Sequence, residues 1–221
     1  DLSNPTTCCT YADDALNMVR GSDDWDSFFG MQPCMFLNGV RTEYLNPNDF
    51  TTRLISTFAG DPTVNSPLDI TSGNEGDVMI EFPRRGLKIS TEGDTVIISM
   101  TDDPNNPDFK YYAHQRGSVD KDYFYLGAYL GYNLSSKLRS LSGKSVTVNT
   151  TFDNFRTYAH NLGAGYDVWG FYQVLFIQAM YTLKYADLNS QTVIGMGQLG
   201  SSSATTGNTN KNGMTYGTSS T

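Results

Sequence analysis

The sequence predicts an α+β protein, with an antiparallel β-rich N-terminal half and two consecutive helices in the second half. Three observations carry that prediction. Residues 77–100 hold three apolar, β-branched runs separated by short polar or proline breaks. Residues 150–185 hold apolar side chains at helical spacing on both sides of a Gly163-x-Gly165 break. Prolines, glycines and Asn/Asp pairs punctuate the first half at short intervals, as turns require.

The 221-residue chain is long enough for one domain or two small ones, and for a substantial core. Its net charge is −8. Phosphate contacts need clustered Lys and Arg, and the one basic cluster, Arg84-Arg85 with Lys88, is small, so nucleic acid is not an expected partner. There is no secretory signal and no transmembrane run, so membrane insertion is not expected. The three cysteines are Cys8, Cys9 and Cys34. Adjacent cysteines pair only in a strained ring, and a bridge from either to Cys34 would leave one thiol. Reduced thiols in a chain that folds in cytoplasm are the expectation. Zinc is not expected, because no C-x-x-C spacing exists and His114 and His160 are far apart in sequence. No cofactor is expected.

Taken in order, residues 1–50 are turn-rich. Tyr11-Ala12-Asp13-Asp14-Ala15 opens a short helical turn. Asp23, Asp24 and Asp26 flank Trp25, which reads either as a sugar or calcium site or, more commonly, as a solvated loop with one anchoring aromatic. Pro33–Leu37 is a short apolar strand before Asn38-Gly39, the favoured pair for a two-residue hairpin turn, and Val40–Leu45 returns. Asn46-Pro47-Asn48-Asp49 is another turn or the cap of a short helical segment. Residues 51–76 form a long connection. Asp77–Phe82 is a strand with Val78, Ile80 and Phe82 on one face, followed by Gly86–Ser90 and Thr95–Met100 in an antiparallel meander.

Thr101–Asp108 is dense in oxygen ligands, but it has two prolines and no glycine, so an Asx/Pro turn is expected rather than a calcium loop. Phe109–His114 reads as a strand. His114 and His160 have no nearby nucleophile or acidic partner in sequence and read as core or strand histidines. Tyr123–Tyr132 reads as an aromatic central strand whose glycines suit close packing or a bulge.

Thr150 is expected to cap the first helix, with Asp153 three residues on. Phe152, Phe155, Ala159 and Leu162 share one face, and Gly163 ends the helix. The second helix runs from Gly170 to Tyr185, about 24 Å. Its near-continuous apolar surface predicts burial on most sides. Val193–Gly197 reads as a last short strand, and residues 200–221 as a polar tail that does not pack. The expected division is a β-rich region over 1–108, a second domain over 109–199 and the tail over 200–221.

Several blocks, in order, resemble a family of phage and prophage virion proteins, tail-associated or fibre-like. They are residues 76–90 (GDVMIEFPRRGLKIS), Tyr112-Ala113-His114, 125–132 (YLGAYLGY), 142–167, 171–185 and 189–197. The second half also resembles the C-type-lectin-like fold of phage tropism determinants and formylglycine-generating enzymes, through its strand, capped helix, Gly163-x-Gly165-Tyr166-Asp167 and second helix. The resemblance implies a lectin-like domain over 109–199, whose sheet relatives complete with a later tryptophan-rich stretch. No ligand-binding residue carries over from it.

What it implies for function is a virion component that attaches the particle to a host cell-surface glycan or protein, together with other virion proteins and as a homo-oligomer. A purely architectural collar, head-fibre or baseplate role is the alternative. Enzymatic readings are not expected. Formylglycine generation would need a C-terminal cysteine pair, and no cysteine follows Cys34. A glycan depolymerase would need two carboxylates about 5–10 Å apart. Glu75, Asp77, Glu81 and Glu92 are candidates by type alone, and Asp77 and Glu81 lie roughly 13 Å apart along a strand.

Overall fold

The computed structural model describes residues 3–54, 67–195, 205, 206 and 210. It is mixed α and β, with antiparallel pairings throughout the ladders resolved by register and four α-helices among the described residues. In chain order the elements are α1 (Asp23–Phe29), β1 (Gln32–Leu37), β2 (Val40–Asn46), β3 (Asp49–Arg53), β4 (Asp77–Pro83), β5 (Gly86–Glu92) and β6 (Thr95–Thr101). Then come β7 (Gln115–Arg116), β8 (Val119–Asp120), β9 (Tyr123–Gly127), β10 (Tyr132–Leu134), β11 (Lys137–Arg139), α2 (Phe152–His160), α3 (Phe171–Tyr185) and α4 (Ser190–Ile194). Short 3-10 turns occupy Asp13–Asn17 and Tyr112–His114.

The chain forms two compact units. The first comprises Asp1–Met31, Phe82–Phe124 and Trp169–Ile194; the second comprises Gln32–Glu81, Tyr125–Val168 and Gly195–Thr221. Residues on either side of position 108 therefore contribute to both units.

The second unit is built on a five-stranded sheet ordered β3-β2-β1-β4-β9. The Asn38-Gly39 hairpin forms as expected, with Leu37 opposite Val40. Both turn residues have positive φ, 53° and 83°, the backbone that makes Asn-Gly the favoured pair. Met35, Leu45, Phe50, Leu68, Ile70, Val78 and Tyr129 form its buried cluster, each apolar side chain contributing about 1.5–3 kcal/mol. A second tight hairpin joins β10 and β11 through Ser135-Ser136, both at positive φ. Tyr166 donates no strand but closes on the first hairpin, its hydroxyl accepting the Gly39 N–H at 3.1 Å.

Helix α2 is capped by Thr151, whose hydroxyl accepts the Asn154 N–H at 3.2 Å, so the cap lies one residue beyond the expected Thr150. Only Ala159 of its apolar face is buried; Phe155 and Leu162 are half-buried and Phe152 is exposed. The expected non-packing tail is corrected at two residues, Thr206 and Asn210. Thr206 accepts the Lys144 N–H and donates to Leu141 O, and Asn210 accepts from Tyr129 Oη at 2.5 Å and Ser142 Oγ at 2.9 Å while its carbonyl takes the Phe50 N–H. Polar side chains of a tail pack where core-facing hydroxyls need partners.

The first unit holds the β5–β6 hairpin, paired in unbroken register from Gly86 opposite Thr101 to Glu92 opposite Thr95. The expected meander does not form, since β4 pairs with β1 while β5 and β6 make a sheet of their own. Pro83 and the Arg84-Arg85 segment separate the two. At Gly86 the chain passes so close to Phe109 that an added Cβ would lie 2.6 Å from the Phe109 Cβ.

Three further expectations are corrected. Phe109–His114 is not a strand: only Lys110 bridges to Leu87, and Tyr112–His114 winds into a 3-10 turn. Tyr123–Tyr132 is not a central strand: β9 is the outer strand of its sheet and ends at Gly127. Val193 and Ile194 belong to helix α4, and Met196-Gly197 lie outside the described residues. Helix α3 spans the expected residues but buries one stripe, Gln173, Phe176, Ala179 and Met180, rather than most of its surface. No helix among the described residues is long and apolar enough to cross a membrane.

Candidate functional site

The exposed side of α3 builds the most distinctive surface of the first unit. Tyr172, Leu175 and Phe176 recur at spacings of three and four, so they share a face of the helix. Across from them, Leu87 and Ile89 project from the same face of β5. Paired backbone bonds between Leu87 and Lys110, 2.9 and 3.0 Å, hold the segment that leads into the 3-10 turn. A buried bond fixes that turn to the helix: Gln173 Nε2 donates to Ala113 O at 2.6 Å.

These elements enclose a groove of about 200 Å³ lined by Leu87, Ile89, Lys110, Tyr112, Tyr172 and Leu175, with Phe176 and Ala113 at its base. The Tyr112 and Tyr172 rings are 4.9 Å apart, and Phe171 meets Tyr172 edge-on at 5.5 Å. Phe171 is 73 % exposed and Trp169, two residues before it, 53 % exposed. Exposed aromatics leave apolar surface in water with no return in folding, so this run makes a candidate contact surface. Rings of this kind stack on the apolar faces of sugars or on apolar side chains, and Lys110 adds a cation and a donor at the groove.

Beneath the groove, Phe176 touches the His114 and Phe124 rings edge-on at 5.5 and 5.6 Å, and Phe82 stacks on Phe124 at 4.7 Å. His114 is fully buried, as expected of a core histidine, with Nε2 3.0 Å from Pro83 O. Burial pushes its imidazolium down to about 4. His160 is corrected: it is a surface residue of α2 with Nε2 3.2 Å from Asp167. Arg156 also bridges Asp167 at 3.2 Å, and that hydrogen bond leads in lowering the Asp167 carboxyl to about 2.

The candidate carboxylates do not converge. Glu75 accepts the Asp69 N–H at 2.7 Å, and Glu92 is exposed at the end of β5. Asp77 is buried and held by Arg139 Nε at 2.8 Å and the Ser140 N–H at 2.8 Å; desolvation raises its pKa and Arg139 draws it back. Glu81 is buried between Tyr44 and Tyr125, with Arg41 Nε at 2.9 Å. Sequence reading missed that both acids point into protein, because an Asp or Glu in an alternating strand reads as solvent-facing until its Arg or Tyr partners from other strands are known.

The Asp23–Asp26 acids sit in the first turn of α1, where the helix dipole favours them, and Trp25 is buried against Tyr11 and Phe29 and so presents no ring to a sugar. Asp103 and Asn106 cap their own loop, accepting the Asn105 and Asp108 N–H groups, as an Asx turn does. Among the described residues no group of three or more His, Cys, Asp or Glu is arranged to hold a metal ion. The basic trio is dispersed in role: Arg84 pairs with Asp120 at 2.8 Å, and Arg85 Nε donates to Phe28 O. All three cysteines are free, with the Cys8 and Cys9 sulfurs 3.8 Å apart.

The groove itself escaped sequence reading, which assigned α3 to the core. The signal present was the Trp169-Gly170-Phe171-Tyr172 cluster at the helix start, richer in aromatics than one buried stripe needs. Comparison with protein-family models, curated proteins and solved structures finds no match for this chain.

Proposed function

We propose that this protein is a non-enzymatic structural component of a bacteriophage particle, tail- or fibre-associated, that attaches the particle to a host-surface glycan or protein. The observation that carries the attachment reading is the aromatic groove, with Tyr112 and Tyr172 flanking it, Phe171 open to solvent against Tyr172, and Trp169 exposed two residues before Phe171 in the chain. The virion assignment rests on the ordered residue blocks that resemble phage virion proteins, and with it goes a lectin-like character for the second half. Weak contacts at one such groove become tight attachment when many copies are displayed on one particle. The engagement of Asp77 and Glu81 in ion pairs and tyrosine bonds supports a structural rather than a hydrolytic role for those acids.

The test is binding of the purified chain, and of a Trp169→Ala/Phe171→Ala variant, to whole cells and extracted wall polysaccharide of candidate hosts. Saturable binding competed by the free polysaccharide, and lost at least tenfold in the variant, supports attachment through the groove. Stable incorporation into tails or capsids without cell binding supports the architectural alternative instead.

A further inference from the structure

Asn38-Gly39 forms the tip of the β1–β2 hairpin, and both residues are exposed. The pair has a chemistry of its own. The Gly39 backbone nitrogen can attack the side-chain carbonyl carbon of Asn38, Cγ, and glycine carries no Cβ to hinder the approach. A bond forms between that nitrogen and Cγ, the bond from Cγ to the side-chain nitrogen breaks, and the Gly39 amide proton departs with the leaving group as ammonia. Water then opens the succinimide ring at either of its carbonyls. One opening leaves aspartate at position 38, the other isoaspartate, whose backbone runs through the side-chain carbons. The sum is amide plus water giving carboxylate plus ammonium, so water is the only co-reactant.

Two features of the fold oppose this reaction. The first is the turn itself. With φ of 53° at Asn38 and 83° at Gly39 it has the type I′ pattern, in which ψ of the first central residue is about +30°. Ring closure needs the Gly39 nitrogen rotated round towards Cγ, so attack waits for the tip to open. The second is Tyr166, whose hydroxyl accepts the Gly39 N–H at 3.1 Å. That proton is the one the nitrogen must shed. Burial raises the Tyr166 phenol above its ordinary value, so at neutral pH it is uncharged and too weak a base to take the proton. The contact therefore ties down the nucleophile rather than activating it. The Tyr166 ring is itself held edge-on to Phe36, with centroids 6.0 Å apart.

We infer that Asn38 is a deamidation site whose rate is set by the Tyr166 hydroxyl. Each opening of the hairpin tip gives one chance of ring closure, and the Tyr166 bond makes openings rarer. The aspartate product keeps the hairpin, because Asp-Gly suits the same turn. Isoaspartate adds one atom to the backbone of a two-residue loop, so the closing pair Leu37–Val40 loses its fit and Gly39 leaves Tyr166. The attachment reading is not involved, since the groove belongs to the other unit and uses none of these residues.

The test is peptide mapping by mass spectrometry of the full chain aged at neutral pH, in native buffer and in urea. Asn38→Asp, which has no amide to lose, fixes the identity of the site. Position 38 is expected to convert in native buffer about tenfold or more slowly than in urea. Tyr166→Phe keeps the ring and removes the acceptor. It is expected to raise the native rate about threefold to tenfold, the factor that loss of one hydrogen bond gives, and to leave the rate in urea unchanged. Asn210→Ala weakens the same unit away from the tip and separates local opening from global unfolding; the native rate at Asn38 should stay within about twofold of wild type. Equal native rates in wild type and Tyr166→Phe, a native rate equal to that in urea, or equal acceleration by Asn210→Ala would overturn the inference.

Discussion

Glu81 and Tyr125 share a short hydrogen bond, the tyrosine hydroxyl donating to Oε2 at 2.6 Å. Tyr44 donates to Oε1 at the same distance, and Arg41 Nε lies 2.9 Å from Oε2. A carboxylate in the interior strand β4 is thus satisfied on both oxygens by side chains from β2 and β9. Burial of such a charge is tolerated only because every lone pair facing protein finds a donor. Glu81→Gln leaves Arg41 without its counter-charge and turns one acceptor into a donor facing a hydroxyl. It is expected to lower unfolding free energy by about 2 kcal/mol, read from urea denaturation. Tyr125→Phe is expected to cost about 1 kcal/mol, and the two changes together less than their sum, because they break one network.

His114 makes stability depend on pH in a defined direction. Its folded-state pKa is depressed to about 4 from an ordinary 6.5 by burial, with Arg84 and Arg116 adding repulsion. The unfolded chain therefore binds a proton that the folded chain refuses between those values. Stability is unaffected by this group above about pH 7, falls progressively from pH 6.5 to 4, and loses about 3 kcal/mol over that range. Urea midpoints at pH 7.5, 5.5 and 4.5 should show the fall, and His114→Phe should flatten it.

Cys34 should be chemically silent in the native protein. Its thiol is pushed up to about 12, chiefly by burial and then by the Glu81 charge, and its side chain is inaccessible. A thiol reagent at pH 8 is expected to label Cys8 and Cys9 and to reach Cys34 only after urea is added. Labelling of all three at one rate would contradict the buried placement.

Asn210 joins Tyr129 and Ser142 through one side-chain oxygen while its carbonyl takes the Phe50 N–H. Asn210→Ala strands the Tyr129 hydroxyl, which is itself buried enough to have its pKa raised to about 12. The variant is expected to lose about 1–2 kcal/mol, and Tyr129→Phe in that background to recover part of it.

The local features of this fold were the legible ones. The Asn38-Gly39 hairpin, the β5–β6 hairpin through Glu92-Gly93-Asp94, the span of α3 and the Asx loop after Thr101 all follow from residues adjacent in sequence. What could not be read depends on distant partners. Whether β4 continues into β5 or inserts between β1 and β9 is decided by which ladder buries Val78 and pairs Glu81, and no short window contains both halves of that choice. The burial of α3 was overestimated for a similar reason: helical spacing gives the angle of Phe171 and Val174 around the axis, not whether any protein faces them. His160 was misread because Asp167, seven residues on, returns to it only through the turns at Gly163 and Gly165.

The interleaving of the two units sets the order in which this chain can fold during synthesis. The first unit uses Asp1–Met31 together with Trp169–Ile194, and the second fastens Phe50 to Asn210. Neither unit has all of its segments while the polypeptide is partly made, so the first waits for Trp169–Ile194 and the second for the Asn210 bonds to Phe50, Tyr129 and Ser142. Expression should therefore benefit from slow translation at low temperature and from holdase chaperones far more than from any change to the finished surface.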